Sequence, residues 1–236
     1  MSAVQDIVVL GAGMVGVSVA LEARRAGLHV TLVDRREPGE ETSYGNSGVI
    51  DGGNLFPVAM PRDLPSLLRH ALNRETASHY HLSALPKVSR WMLDYWRWSA
   101  PGRLEETARL MRPFFAEAVE SHRAFMRLAG AERFFRQTGW LELYRSPKSL
   151  ADQDHRLKLA AECGIDSVKV TPGELSELEP HLKGDFAGAI WCRDADTVSS
   201  PGGVTKAYAE AFARAGGRIL RGDAMTLREV QGGFEV

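Results

Sequence analysis

The sequence of 236 residues carries 29 Lys and Arg against 30 Asp and Glu, and 44% of it is hydrophobic, which is typical of a globular protein with one large domain or two modest ones. This charge balance excludes the electropositive surface that binding of a phosphate backbone requires, so we expect no nucleic-acid partner. The apolar run at residues 7–10 is too short for a signal-peptide core, and no later run could span a bilayer. We therefore expect a cytoplasmic protein, at most peripherally associated with the inner membrane face.

The first fifty residues predict the start of a nucleotide-binding unit. The predicted elements are a strand over 6–10, a tight turn over 11–16, a helix over 17–25 closed by Gly27, and a strand over 29–33 followed by Asp34. Because the first strand is apolar from Ile7 to Leu10, we expect it to be central in a parallel sheet with helices on both faces. A polar loop of small residues follows over 37–48 and interrupts the pattern.

The middle of the chain predicts an inserted unit rich in helices. Predicted helices cover 105–128 and 149–161, and Pro113 is expected to kink or divide the first of them. Trp91, Tyr95 and Trp98 share one helix face, which we expect to be buried in the inserted unit; contact with a membrane that carries a quinone is the alternative. Strands are predicted over 139–144 and 187–192, with a capped helix from Thr171 to about Pro180 between them.

The nucleotide-binding pattern returns near the end of the chain. A helix over 200–215 with a capping serine precedes a strand over 218–220. We therefore expect two interleaved domains, with residues 1–54 and 196–236 in one and residues 55–195 in the other. Residues 224–236 predict a hairpin whose second strand is cut short, so we expect the chain to stop within a fold.

The glycine motif and Asp34, which follows the second predicted strand, indicate binding of a nucleotide diphosphate. Gly11 permits a tight turn, Gly13 leaves room for a pyrophosphate, and Gly16 allows close packing of helix on strand. The helix start offers unpaired N–H groups and a positive dipole end, and Asp34 is placed to accept hydrogen bonds from ribose hydroxyls. The alternative is a glycine-rich turn without a ligand.

The choice of dinucleotide depends on the residues after Asp34. Its carboxylate disfavours the 2′-phosphate of NADP, although Arg35 and Arg36 could bind one if they turned inward. The loop from Glu41 to Gly48 offers hydroxyls, an amide and glycines suited to a diphosphate, a ribityl chain and a flat ring. A flexible surface loop is the alternative interpretation.

Three stretches resemble the opening of FAD-dependent D-amino-acid dehydrogenases, within the wider family of glycine, sarcosine and D-amino-acid oxidases. They are Val8 to Val17, Val33 to Arg35, and Glu41 to Gly48, with thinner similarity at 139–143 and 201–205. The resemblance implies an α/β fold in which a Rossmann-type FAD-binding unit is interrupted by an inserted α+β substrate domain. It also implies that the carboxyl-terminal half of such an enzyme is absent here.

By the same resemblance, the three glycines face the FAD pyrophosphate, Asp34 the ribose and Arg35 the adenine, and the backbone of Met225 meets the adenine edge. The polar loop lines the path from the diphosphate to the flavin. The candidate cofactor-binding residues are Gly11, Ala12, Gly13, Met14, Val15, Gly16, Asp34, Arg35, Arg36, Thr42, Ser43, Asn46, Ser47, Gly48 and Met225.

The resemblance implies oxidation of the CH–NH2 group of a free D-amino acid. Hydride passes from the α-carbon to the flavin, and the imino acid hydrolyses to a keto acid and ammonia. A quinone or oxygen takes the electrons, and a homo-oligomer is compatible with the family. We assign no catalytic residue, and we expect the chain alone to bind FAD poorly and to turn over nothing.

Other chemistry has weaker support in the sequence. His79 and His81 have no evident third ligand, so we expect no metal site. Ser47 lacks the spacing of a nucleophile elbow, and we expect Cys163 and Cys192 to be small buried hydrophobes. Two alternative functions remain: an NAD(P)-dependent dehydrogenase and a non-catalytic fragment that binds a nucleotide.

Overall fold

The elements of the protein are taken from a computed structural model that describes residues 6–53, 56–74 and 79–236. The helices in these ranges are α1 (Met14–Arg25), α2 (Leu64–Ala71), α3 (Leu85–Trp98), α4 (Pro101–Ala129), α5 (Pro147–Ala151), α6 (Asp154–Glu162), α7 (Pro172–Leu178) and α8 (Pro201–Arg214). The strands are β1 (Asp6–Leu10), β2 (His29–Asp34), β3 (Val49–Ile50), β4 (Phe135–Arg136), β5 (Trp140–Tyr144), β6 (Ser167–Val170), β7 (Gly188–Cys192), β8 (Asp196–Val198), β9 (Arg218–Arg221), β10 (Arg228–Val230) and β11 (Gly233–Glu235).

The first sheet joins the two ends of the described chain. Its order is β1-β2-β9 and all its pairs are parallel. Helices α1 and α8 pack together beside it, and the core there includes the fully buried Leu21, Leu32, Tyr208 and Phe212. This arrangement confirms the predicted strand-turn-helix-strand unit and the later return to the same sheet.

Strand β1 lies at one edge of this sheet among the described residues, so the prediction of a central strand is wrong for this chain. Ile7 and Val9 of this strand pack against the core, whereas Val8, which points to the opposite face of the sheet, is 46% exposed. An uninterrupted apolar run indicates a strand suited to burial on both faces. It does not indicate which segment of the chain would pair with the free edge of β1.

Two further sheets lie in the middle of the chain. Their orders are β3-β8-β4 and β5-β7-β6, and both are antiparallel. A second core cluster joins Ala108 of α4 to Leu159 and Ala160 of α6. Cys163 and Cys192 are both buried, as predicted.

Helix α4 continues through Pro113 over 29 residues, so, of the two predicted effects of this proline, division of the helix is wrong, while a kink stays a prediction. A proline removes one helical hydrogen bond, but the parts on either side of it are held separately by packing. Ala108 is buried in the second core cluster, whereas Val119 and Met126 are buried in the first. The helix ends at Gly130, whose φ of 65° is left-handed.

The helix predicted over 149–161 consists of two helices, α5 and α6, separated by Asp152 and Gln153. The side chain of Ser146 caps the amino end of α5, so this short helix has its own start signal before α6.

Three other local predictions are confirmed. The capping box at Thr171 and the capping serine at Ser200 form as predicted, and β10 and β11 form the predicted hairpin.

The aromatic face of α3 is exposed, so the prediction of its burial is wrong. Trp91 is 64% exposed and Trp98 57% exposed, and Trp91 stacks on Tyr95 with ring centroids 5.2 Å apart. The helical spacing is therefore real, but the described part of the chain supplies no layer to cover this face. Each helix in the described ranges is too short or too polar to cross a bilayer.

Candidate cofactor site at the start of α1

The turn between β1 and α1 depends on glycine at two positions. Gly11 has a φ of 99°, a left-handed conformation that side chains disfavour. A Cβ atom on Gly16 would overlap the carbonyl oxygen of Gly11, so the helix can pack against the turn only if residue 16 lacks a side chain. A Cβ on Gly13 would lie 3.2 Å from the Ser43 hydroxyl. The three glycines therefore leave open space at the turn between β1 and α1.

Helix α1 begins at Met14, three residues before the predicted start, which places its amino end inside the glycine motif. Gly13 is the N-cap and supplies no side-chain cap, and the first turn holds no acidic residue. The N–H groups of a first turn have no partners within the helix and carry its positive dipole end. The Met14 N–H donates to the Ser43 hydroxyl over 2.8 Å. Ser43 thus brings a polar side chain to the place where an anion would bind.

Asp34 lies at the carboxyl end of β2 and is tied to the glycine turn. Its carboxylate accepts a hydrogen bond from the Ala12 N–H over 2.6 Å and another from the Arg36 N–H over 2.9 Å. The N–H of Gly222, just after β9, donates to the Asp34 carbonyl over 3.0 Å. These bonds fix the carboxylate beside the turn, in reach of a sugar bound there.

Arg35 and Arg36 turn toward an acid in the loop. Both guanidinium groups pair with the Glu41 carboxylate, at 3.0 and 3.1 Å. Arg221 donates to the Arg35 carbonyl over 3.1 Å. Because their charge is already partnered, this arrangement gives no support to recognition of a 2′-phosphate. Nothing in the sequence spacing of Glu41 indicates which arginine it pairs with, so this pairing was not predicted.

The loop over residues 37–48 is attached at both ends. The Gly39 N–H donates to the Ala12 carbonyl over 3.0 Å, and Lys206 of α8 pairs with Glu40 at 3.1 Å. At the other end, the Gly48 N–H donates to the Asn46 side chain over 2.9 Å, and a Cβ on Gly48 would press on the Val198 carbonyl. These contacts count against the alternative of a flexible surface loop.

The predicted site residues fall into two groups. The glycine turn, Asp34 and Ser43 come together at the start of α1. Thr42, Asn46 and Ser47 are exposed along the loop. Met225 is 89% exposed and lies in a short turn after β9, where its N–H already donates to Asp223 over 3.0 Å. Only the Met225 carbonyl and side chain therefore remain for a ligand.

A buried polar network supports the strand that follows the loop. Ile50 of β3 pairs with Asp196 of β8, whose carboxylate accepts from Arg123 of α4 over 2.8 and 2.9 Å. Burial raises the pKa of Asp196, and the nearby guanidinium opposes that rise. Next to Arg123, burial lowers the pKa of His122, which contacts the Tyr208 hydroxyl at 3.2 Å. No part of this network was predicted from the sequence.

Metal chemistry has no structural support in the described ranges, where no three His, Cys, Asp or Glu side chains are grouped so as to hold an ion. His79 and His81 lie with their ring centroids 6.4 Å apart in an edge-on arrangement.

Comparisons with known proteins agree with this geometry. A family model described as DAO, FAD dependent oxidoreductase, matches residues 6–236. The chain is 28% identical over 230 residues to a D-amino-acid oxidase of Bradyrhizobium diazoefficiens, covering 95% of this chain and 54% of the relative. It is 30% identical over 200 residues to a D-amino acid dehydrogenase of Chromohalobacter salexigens, covering 81% of this chain and 47% of that protein. The chain thus spans about half the length of these curated relatives.

Among solved structures, a glycine oxidase from Geobacillus kaustophilus is similar with a TM-score of 0.59 and 19% identity. The similarity covers 97% of this chain and 52% of that one. At this identity the likeness shows a shared fold, and it confirms the predicted fold class.

Proposed function

Since the chain belongs to the DAO family of FAD-dependent oxidoreductases, we propose that its whole protein oxidises the CH–NH2 group of a free D-amino acid. The family confirms the prediction of FAD rather than NAD(P) as cofactor. The observation that carries the proposal is the hydrogen bond that the Met14 N–H donates to the Ser43 hydroxyl at the start of α1. This contact joins the glycine turn to the loop that continues toward β3.

The residues present fit the adenosine end and the diphosphate of FAD. The open start of α1 would hold the diphosphate through N–H groups of its first turn and through Ser43. Asp34, fixed by the Ala12 N–H, would accept from the ribose hydroxyls. The exposed Thr42, Asn46 and Ser47, with Gly48, would line the path onward, and the Met225 carbonyl would meet the adenine edge.

The chemistry divides between cofactor and protein. Bound FAD supplies the acceptor for a hydride from the substrate α-carbon. The protein must bind the amino acid, orient its α-hydrogen and exclude water, while its own residues need not supply an acid or base once the amine is neutral. We accordingly assign no catalytic residue in this chain.

The preference for D-amino acids is supported by the names of the relatives, a D-amino-acid oxidase and a D-amino acid dehydrogenase. The products would be a keto acid and ammonia, and either a quinone or oxygen would receive the electrons. We also propose that residues 1–54 and 196–236 form the FAD-binding domain and residues 55–195 the substrate domain. In support, β1, β2 and β9 come from the two outer segments and share one sheet.

The test is purification of the whole protein, followed by flavin absorbance and dye reduction with matched panels of D- and L-amino acids. We expect a yellow protein that reduces the dye with D-amino acids only. Comparison of oxygen consumption with reduction of a soluble quinone identifies the electron acceptor. A colourless protein that refuses added FAD would overturn the function, and activity with L-amino acids alone would overturn the stereochemistry.

A pair of variants tests the site itself. Asp34→Asn removes the charge that meets the ribose, so FAD should bind at least tenfold more weakly. Asp152→Asn removes an exposed carboxylate that pairs with Lys148 and should leave FAD affinity unchanged. Equal affinity in both variants would contradict the role proposed for Asp34.

A further inference from the structure

A cavity of about 440 Å³ lies between β5, the start of α4 and α6. Most of the side chains that line it are apolar, among them Phe56, Val58, Leu104 and Trp140. A smaller cavity of about 30 Å³ shares Phe56 and Trp140 with it and reaches Cys192 of β7. Pockets that bind small organic molecules have this size and a largely apolar wall with a few polar groups.

The charged side chains around the larger cavity are paired with one another. Arg156 of α6 donates to the Glu142 carboxylate of β5. On the exposed side, Glu105 contacts His155 at 3.0 Å and Arg109 at 3.7 Å. A charged group that entered the cavity would lose its water without meeting an unpaired counter-charge among the described lining residues. The cavity therefore favours an uncharged ligand.

One hydrogen-bond donor in the cavity wall lacks an acceptor. The indole N–H of Trp140 is buried and makes no hydrogen bond within the described part of the chain. Trp191 of β7 differs, because its indole N–H donates to the Thr138 carbonyl over 3.0 Å. A buried donor without a partner destabilises the empty site. A ligand that places an oxygen acceptor beside Trp140 would be bound preferentially.

The cavity lies close to the loop that is proposed to lead to the flavin. Gly48 ends this loop, β3 follows, and Gly53 lines the smaller cavity. Five residues span at most about 18 Å when fully extended. A Cβ atom on Gly53 would lie 2.6 Å from the Cys192 sulfur, so the chain after β3 packs directly against β7. Cys192 in turn pairs with Trp140 of β5.

We propose that this cavity binds the side chain of the amino acid that is oxidised, and that it selects an aromatic ring with a hydroxyl at its far end, as in D-tyrosine. This inference rests on the proposed function. The apolar wall covers the ring, and the Trp140 N–H donates to the phenol oxygen. The phenol hydroxyl donates to the Glu142 carboxylate, which can accept more than one hydrogen bond. Acidic and basic side chains are disfavoured because their charge would be unpaired.

The experiment compares kcat/KM of the whole protein for D-tyrosine and D-phenylalanine, which differ only in the phenol hydroxyl. We expect a preference for D-tyrosine. Trp140→Phe keeps an aromatic ring but removes the N–H, and should lower the ratio of the two kcat/KM values about tenfold. The matched control is Trp191→Phe, which removes an indole N–H that is already bonded to Thr138, and should leave this ratio unchanged.

A second variant tests the cavity without removing the donor. Leu104→Trp fills space at the start of α4, and should lower kcat/KM for D-tyrosine and D-phenylalanine at least tenfold more than for D-alanine. This variant keeps the inference testable if Trp140→Phe does not fold. Calorimetry with p-cresol, which is the side chain of tyrosine alone, measures binding independently of turnover. Trp140→Phe should weaken p-cresol binding about tenfold, and p-cresol should compete with D-tyrosine.

The outcomes separate this inference from the proposed function. If D-amino acids are oxidised but Trp140→Phe leaves the ratio unchanged, or Trp191→Phe lowers it equally, only the inference is overturned. Inhibition by p-cresol that does not compete with D-tyrosine also overturns it. If no D-amino acid is oxidised, the proposed function fails. In that case p-cresol binding that depends on Trp140 would support the cavity as a site for a hydroxylated aromatic ring, and its absence would overturn the inference as well.

Discussion

Helices α1 and α3 both present apolar residues at helical spacing, but only α1 buries them. Val17, Ala20 and Leu21 of α1 are buried against the sheet and α8, whereas α3 buries no residue. The difference lies outside the two helices, since α1 is covered by a helix nearly two hundred residues later in the chain. Spacing therefore identifies the apolar face of a helix, while the partner that covers it is set by the rest of the fold.

The largest expected effect concerns the covered face. Phe212→Ala removes a fully buried ring from α8 and should lower the free energy of unfolding by about 3–5 kcal/mol. Trp91→Ala removes a ring of similar class from the exposed face of α3 and should cost less than about 1 kcal/mol. Urea denaturation of both variants measures the contrast. Similar losses would mean that the α3 face is covered after all.

The buried ion pair between α4 and β8 should give the next largest effect. Arg123→Met leaves the Asp196 carboxylate, only 4% exposed, without its cation, and should cost about 3 kcal/mol. The control is Lys148→Met in the exposed pair with Asp152, which should change stability by no more than about 0.5 kcal/mol. Chemical denaturation at neutral pH compares the two. A negligible cost for Arg123→Met would show that water reaches Asp196.

A smaller effect is expected at the start of α1. Ser43→Ala removes the acceptor for the Met14 N–H and should cost about 1 kcal/mol of stability and weaken FAD binding. Ser149→Ala, at an exposed position of α5 outside the candidate site, is the matched control. Thermal melts with and without FAD measure both quantities. The site as described would be incorrect if Ser149→Ala had the larger effect on FAD affinity.

The smallest effect is a dependence of stability on pH. Burial lowers the pKa of His122 below its ordinary value near 6.5. Below about pH 6.5 the His122 imidazole therefore binds a proton in the unfolded chain more readily than in the folded chain. The free energy of unfolding falls as the pH drops through this range, by at most about 1.4 kcal/mol per pH unit. His122→Gln should flatten this part of the stability profile.

Local signals in the sequence predict the nucleotide-binding unit well. The apolar strands, the glycine spacing and the capping residues Thr171 and Ser200 act over a few residues, and each forms the predicted element. The tight packing at Gly16 follows from the same short motif. A Cβ atom at this position would overlap the carbonyl oxygen of Gly11, only five residues away.

Features set by distant partners could not be predicted in this way. Strands β3, β4, β6 and β8 have two to four residues, too few for a periodic pattern, and their pairing partners lie far along the chain. The bond between Ser43 and the Met14 N–H and the pairing of Arg35 with Glu41 depend on how the loop folds back. The exposure of Trp91 depends on the absence of a covering layer in the described chain.

The attachment of β9 beside β2 has a consequence for synthesis on the ribosome. Thr31 pairs with Arg218, and the guanidinium of Arg221 reaches the Arg35 carbonyl across 186 residues. When the glycine turn and β2 have left the ribosome, residues 35–217 must still be synthesised before β9 can pair with β2. Closure over so long a separation is slow, so the site proposed for the adenosine end of FAD should be completed late, after the intervening helices have emerged.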